Sequence, residues 1–158
     1  MKLVLRSVRA GRTPWADEAC GDYVTRTRRY FPCEEAVDPA GSSEEESARL
    51  LAALPARGRL VVLDERGKDL SSEAFAELFE AAAREGVTHL VYAIGGAYGH
   101  TQMVRDRAWR VVRLSPMVLN HAVARVLLAE QVYRACTIRA GEPYHHAGTP
   151  PAASGRKS

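Results

Sequence analysis

Residues 59–64 read RLVVLD, and a second run of the same kind, HLVYAI, stands at 89–94. Short, near-continuous apolar runs of this type are expected of strands covered on both faces, the condition of a parallel sheet. Between them Ser71-Ser72 opens a helix in which Ala74, Phe75, Leu78, Phe79 and Ala82 recur at helical spacing.

The flanking sequence repeats the alternation. KLVLRSV (2–8) reads as a strand with Leu3 and Leu5 on one face. Thr13-Pro14 starts a helix, with proline preset for the first turn and threonine as its cap. That helix is expected to run to about Tyr30 and carries Arg26, Arg28 and Arg29. CEEAV (33–37) is a short strand, and a turn over Asp38–Gly41 leads to Ser43 and Glu44, Glu45, Glu46, acidic residues at a positive helix end. After Gly95-Gly96-Ala97-Tyr98-Gly99 a short helix precedes RVVRL (110–114), a fifth strand. The last helix is expected from about Leu119 to Thr137, apolar along Ala122, Val123, Val126, Leu127, Tyr133 and Cys136. The pattern predicts one α/β domain with a mostly parallel sheet flanked by helices. GTPPAASGRKS, from Gly148 to the end, has the composition of a disordered tail.

The chain has 158 residues, 46% apolar and 26% charged, enough to bury a core without staples. Net charge is only +3, yet 19 of the 22 basic residues are arginine, whose planar fork suits phosphate. Genomic base bias gives the same enrichment, so composition leaves the partner open. Cys20, Cys33 and Cys136 are odd in number and in no metal-ligand spacing, which fits a reducing cytosol and argues against a metal centre. The apolar run in MKLVLRSVRAG is too short for a signal peptide, and no segment approaches the length of a membrane span.

In open α/β sheets ligands bind at the carboxyl ends of strands. Three loops fall there: Asp64-Glu65-Arg66-Gly67-Lys68, Gly95–Gly99 and Ser115-Pro116-Met117-Val118. None fits a dinucleotide or triphosphate fingerprint, and for the glycines a tight turn competes evenly with ligand approach. Glu73, Glu77 and Glu80 read as a solvated face, and Arg105, Arg107, Arg110 and Arg113 as a charged helix surface. His121, beside the 115–117 loop, reads first as a cap or polar packing residue, and His145-His146 as a polar terminus.

Taken together, LDERGK (63–68) with SSEAFA (71–76), IGGAYG (94–99) and LSPMVLNHAVARVLLAEQVYRACTIRAGEPYHH (114–146) resemble the RlmH family, the 23S rRNA pseudouridine-N(3) methyltransferases of the SPOUT superfamily. The resemblance covers residues 1 to about 147. It implies a SPOUT-type fold with a C-terminal trefoil knot, a homodimer, and S-adenosylmethionine as cofactor. The cofactor positions it implies are Leu63, Asp64, Gly95, Gly96, Leu114, Ser115, Pro116, Met117, Val118, Leu119 and Asn120. The acceptor side is assigned to Tyr144, His145 and His146 with Arg134 and His121, supplied to the pocket of the other subunit. Asn120 stands where many relatives carry proline, and 148–158 extends beyond their usual end.

The expected activity is N(3) methylation of a pseudouridine in 23S ribosomal RNA on the assembled ribosome, in the cytoplasm, with no metal and no membrane. Arg6, Arg9, Arg12 and Arg26–Arg29 are the candidate phosphate contacts. Two readings stand beside it: a non-catalytic ribosome- or RNA-binding factor on the same fold, and a methyltransferase for another RNA.

Overall fold

The computed structural model describes residues 1–146. The tail expected from Gly148 lies outside the described residues. Five strands, β1 (Lys2–Val8), β2 (Cys33–Asp38), β3 (Gly58–Asp69), β4 (His89–Ile94) and β5 (Arg110–Arg113), alternate with α1 (Pro14–Thr27), α2 (Ser43–Ala52), α3 (Ser72–Arg84), α4 (Gln102–Arg107) and α5 (His121–Ala140). The strands form one sheet in the order β2-β1-β4-β3-β5, and every pair is parallel.

Side chains alternate across the sheet and fill two cores. Leu3 and Leu5, Val61 and Leu63, and Leu90, Tyr92 and Ile94 face α1, α3 and α5. Val4, Leu60, Val62, Val91 and Ala93 face Leu50 of α2 and Val104 of α4. Both faces are therefore covered, which is why the central runs carry no polar alternation. At roughly 25 cal/mol per Å² of apolar area, this two-sided burial is the main favourable contribution to folding.

Helix ends follow local chemistry. The Ser42, Ser71, Thr101 and Asn120 side chains accept from Glu45, Ala74, Val104 and Ala122 N–H and cap α2, α3, α4 and α5. Gly141, at φ +70°, closes α5 in the left-handed conformation. Thr13 stands at the start of α1 as expected, but its hydroxyl makes no cap bond; its carbonyl accepts from Ala16 and Asp17.

Four expectations need correction. The helix α1 ends at Thr27, because Tyr30 and Phe31 N–H bond back to the Thr27 carbonyl in a closing turn. The Asp64–Lys68 segment is part of β3: Leu63 and Lys68 both register with Val112, and the residues between them bulge away from the sheet. On α5 the buried face is Ala122, Leu128, Ala129, Val132, Tyr133, Ala135, Cys136 and Thr137, whereas Val123 is exposed. Two members of the supposed solvated face of α3 are engaged: Glu73 accepts from His145 and Glu80 from Arg139.

Candidate functional site

The bulge in β3 opens a cleft of about 490 Å³ at the carboxyl ends of β3, β4 and β5. Its volume falls in the range of small-molecule and cofactor sites. Leu63, Asp64, Leu114, Ser115, Pro116, Met117, Val118 and Leu119 line it, with Ile94 and Ala124 behind. Met117 and Val118 are 76% and 96% exposed, an apolar lip of the kind that a ligand or partner covers. Ser115 Oγ accepts from Met117 N–H at 2.9 Å and sets the turn of that lip.

The opposite wall is fixed from beneath. A Cβ on Gly67 would lie 2.5 Å from the Val112 carbonyl carbon and 2.7 Å from Arg113 N, so only glycine lets the returning chain pass so close to β5. The Asp64 carboxylate is 4% exposed and receives Arg66 N–H at 2.8 Å and Arg105 Nη1 at 3.3 Å. The same Arg105 nitrogen donates to the His100 carbonyl at 2.6 Å. One guanidinium thereby joins the end of β3 to the chain leaving the glycine loop. The sequence marks Gly67 only as part of a candidate ligand loop and Arg105 only as part of a charged surface; Arg105 acts across 41 positions, a pairing that no local spacing announces.

The glycine loop is adjacent to this cleft but does not line it. Gly95 follows Ile94, and a Cβ there would lie 2.8 Å from the Gly99 carbonyl carbon; one on Gly96 would lie 2.6 Å from both Glu46 carboxylate oxygens. Gly95 and Gly96 line a crevice of about 20 Å³ on the α2 side, with Glu46 and Ser47. Their small size is accounted for by the loop's own closure and by Glu46. Asn120 is likewise occupied, with Oδ1 accepting from Ala122 N–H at 2.8 Å.

Three of the expected acceptor residues come together. Tyr144 O–H donates to Glu130 Oε1 at 3.0 Å, and its ring meets Tyr133 edge-on at 4.7 Å. The Arg134 guanidinium stacks over Tyr144 at 4.9 Å and donates to His145 Nδ1 at 3.1 Å. An arginine carries only donors, so the remaining ring proton sits on Nε2, which donates to Glu73 at 2.8 Å. Burial, with Tyr23 and Glu130 alongside, pushes the Tyr144 phenol well above its usual range, so at neutral pH it is a donor and a stacking surface. His145 holds the Glu73 carboxyl below its ordinary value. His146 is exposed and makes no hydrogen bond among the described residues.

Within one chain His121 stands apart from the other four residues expected on the acceptor side. His121 opens α5, thirteen residues or about 20 Å of helix before Arg134. It belongs to a different cleft, beside Arg125 and the β1–α1 loop. Burial, then the Arg125 charge, pulls its pKa below the ordinary value, so it is neutral at pH 7. The tail lies away from the first cleft of its own chain, whose wall on α5 is Ala124, about 15 Å of helix from Arg134; the expected approach was to the other subunit's pocket.

The arginines are similarly divided. Arg6 is spent on Asp38 in a two-pronged pair at 2.7 and 2.8 Å, Arg28 donates to the Cys33 carbonyl, and Arg26 pairs with Asp22. Arg9 and Arg12 stand exposed with no ion pair among the described residues. The supposed charged surface at 105–113 is dispersed: Arg105 holds Asp64, Arg113 holds Asp69, and Arg110 stacks on Trp109. No group of three metal-ligating side chains occurs among the described residues.

These features define a class: a parallel α/β domain whose ligand cleft lies at the carboxyl ends of its last strands, against the start of its final helix. The model of a family described as predicted SPOUT methyltransferases matches residues 1–145. The chain belongs to that family of methyltransferases. It is 44% identical over 151 residues to the Ribosomal RNA large subunit methyltransferase H of Solidesulfovibrio magneticus, covering 90% of this chain and 98% of the relative. The protein of the same name from Trichlorobacter lovleyi is 42% identical over 153 residues, covering 92% and 100%. Among solved structures, the SpoU methyltransferase AviRb of Streptomyces viridochromogenes, in complex with AdoMet, is similar with a TM-score of 0.43 at 16% identity. The match covers 90% of this chain and 58% of that one.

Proposed function

We propose that this chain is an S-adenosylmethionine-dependent methyltransferase that methylates N(3) of a pseudouridine in 23S ribosomal RNA on the assembled ribosome. The observation that carries this is near-complete collinearity with relatives named as large-subunit rRNA methyltransferases, at 44% identity. In this reading residues 1–147 are a single SPOUT domain, and β5 and α5 thread the bulge of β3 as a trefoil knot. The double registration of Leu63 and Lys68 with Val112, and the close passage of Gly67, support the threading.

The cleft fits the cofactor by size and by lining. Leu63, Leu114, Met117, Val118 and Leu119 supply apolar walls for an adenine, and backbone groups of Leu114–Asn120 can read its edge. Each Asp64 oxygen keeps acceptor capacity beyond its protein bond. Gly95 and Gly96, immediately past Ile94, stand next to this cleft but line the crevice on the α2 side. When bound, the cofactor supplies an electrophilic methyl group on a sulfonium. The chain's task is then orientation and exclusion of water, contributions that reach roughly 7–11 kcal/mol in well-oriented reactions.

The acceptor nitrogen carries a proton that must leave. Tyr144, His145 and Arg134 form a braced cluster remote from their own cleft, which supports a homodimer in which each tail completes the partner's site. Tyr144 stacks on or donates to the base, and His146, whose ring makes no bond among the described residues, takes the N(3) proton. A strong base is unnecessary for this transfer.

Calorimetric titration with S-adenosylmethionine, followed by methyl transfer to ribosomes lacking the modification, tests the reading. One binding event per chain and one methyl group per ribosome are expected. Absence of cofactor binding would favour a non-catalytic factor, and transfer only to another RNA would move the substrate.

A further inference from the structure

A second cleft, of about 330 Å³, opens at the same end of the sheet, between β1, β2, the β1–α1 loop and the start of α5. The first turns of α5 separate it from the cofactor cleft: Ala124 faces one, His121 and Arg125 the other. None of the methyl-transfer roles above uses it.

Its lining is rich in hydrogen-bond donors. Arg125, whose side chain is 11% exposed, forms the floor and is held by Asp17 at 2.8 Å and Glu35 at 3.1 Å. Its Nε is buried with no hydrogen-bond partner. Thr13 lies in the wall with its hydroxyl unused as a cap. At the rim Arg9 and Arg12 are exposed, and Gly11, at φ +75°, turns the loop between them. Three arginines against two carboxylates leave the lining net positive. The uncompensated charge sits on the two guanidiniums that an arriving partner meets first.

We propose that this cleft seats a backbone phosphodiester of the RNA substrate, beside the nucleotide that enters the cofactor cleft. The proposal rests on the reading of the chain as an RNA methyltransferase. A phosphodiester offers only acceptors, which matches guanidinium forks, an idle hydroxyl and the positive ends of α1 and α5. Phosphate contacts of this sort fix the register of a strand without reading its sequence. They give a small protein without a separate RNA-binding module a hold on the strand next to its reacting base. A second copy of the chain would instead have to bring a carboxylate to each rim arginine.

The test is the double variant Arg9→Ala/Arg12→Ala in the full chain, with Arg9→Lys/Arg12→Lys as the conservative control. Ribosome binding is measured across a potassium chloride series beside calorimetry with S-adenosylmethionine. The alanine variant should keep wild-type cofactor affinity and melting temperature, and its salt slope should fall by about 2. Its KM for ribosomes should rise about tenfold, with the lysine variant recovering most of the loss. An unchanged salt slope and KM would overturn the proposal. So would a change in sedimentation behaviour with RNA binding intact, which assigns the cleft to a subunit contact. Inorganic phosphate at matched ionic strength is the separate probe: stabilisation of wild type but not of the alanine variant, with equal ribosome binding, would assign it to a free anion instead. If wild type binds ribosomes with a steep salt slope yet transfers no methyl group, the methyltransferase reading fails while the cleft assignment stands.

Discussion

Gly67 and Gly96 both forbid a side chain, but against different neighbours. At Gly67 the obstacle is the backbone of Val112 and Arg113, which cannot yield without shifting β5; at Gly96 it is the end of the flexible Glu46 side chain. Gly67→Ala should therefore cost about 1–3 kcal/mol or more, as overpacking does. Gly96→Ala should unfold within about 1 kcal/mol of wild type, because Glu46 can swing aside. Urea titrations compare the two, and equal losses would contradict this account of the bulge. Arg105 is the other residue on which the cleft depends. Arg105→Ala strips Asp64 of its close ion-pair partner and should cost about 3 kcal/mol, near the low end for a broken buried pair because Arg66 N–H remains. In an Asp64→Asn background the same change should cost much less. A loss of equal size there would show that Arg105 acts through His100 alone.

Among the elements, the runs 60–63 of β3 and 90–94 of β4 could be read from sequence because they are covered on both faces and so lack polar residues at the centre. The Asp64–Lys68 segment could not: its polar residues look like a loop, and only pairing with β5 makes it the end of β3. His121 was placed near the cofactor loop by proximity in sequence. The helix turns about 100° per residue, so Ala124 and Arg125 open into different clefts, and His121 shares that of Arg125. The Tyr144–His145–Arg134 grouping came from family resemblance, since nothing local in PYHH specifies Glu130 or Glu73 as partners. Deleting the chain from Tyr144 onward removes those bonds and leaves the walls of the cleft proposed for the cofactor untouched. Methyl transfer should be abolished while S-adenosylmethionine affinity stays within about threefold, roughly the 0.6 kcal/mol scale of a contact outside the site. A fully active truncation would remove the tail from the mechanism.

For the whole molecule, stability should depend on pH in two separate windows. His100 and His121 have folded pKa values pulled below the ordinary one, chiefly by burial. Between the folded value and about 6.5 the unfolded chain binds more protons, so stability falls as pH drops through that interval and then levels off. Glu73 and Asp69 are shifted down by His145 and Arg113 respectively; their contribution is present above the unfolded value and lost only below about pH 4. His121→Asn should reduce the slope of the urea midpoint between pH 7 and 5, leaving the His100 share in place and the acid limb unchanged; an unaltered slope in that interval would contradict the burial argument. The central claim, that this chain methylates the large ribosomal RNA, is the proposal drawn from its collinearity with relatives of that name. Mass spectrometric mapping of 23S rRNA from cells lacking the gene, beside the same cells complemented with it, tests that claim most directly. The account predicts loss and return of a single methyl group on one pseudouridine. Identical methylation in the two samples would contradict it.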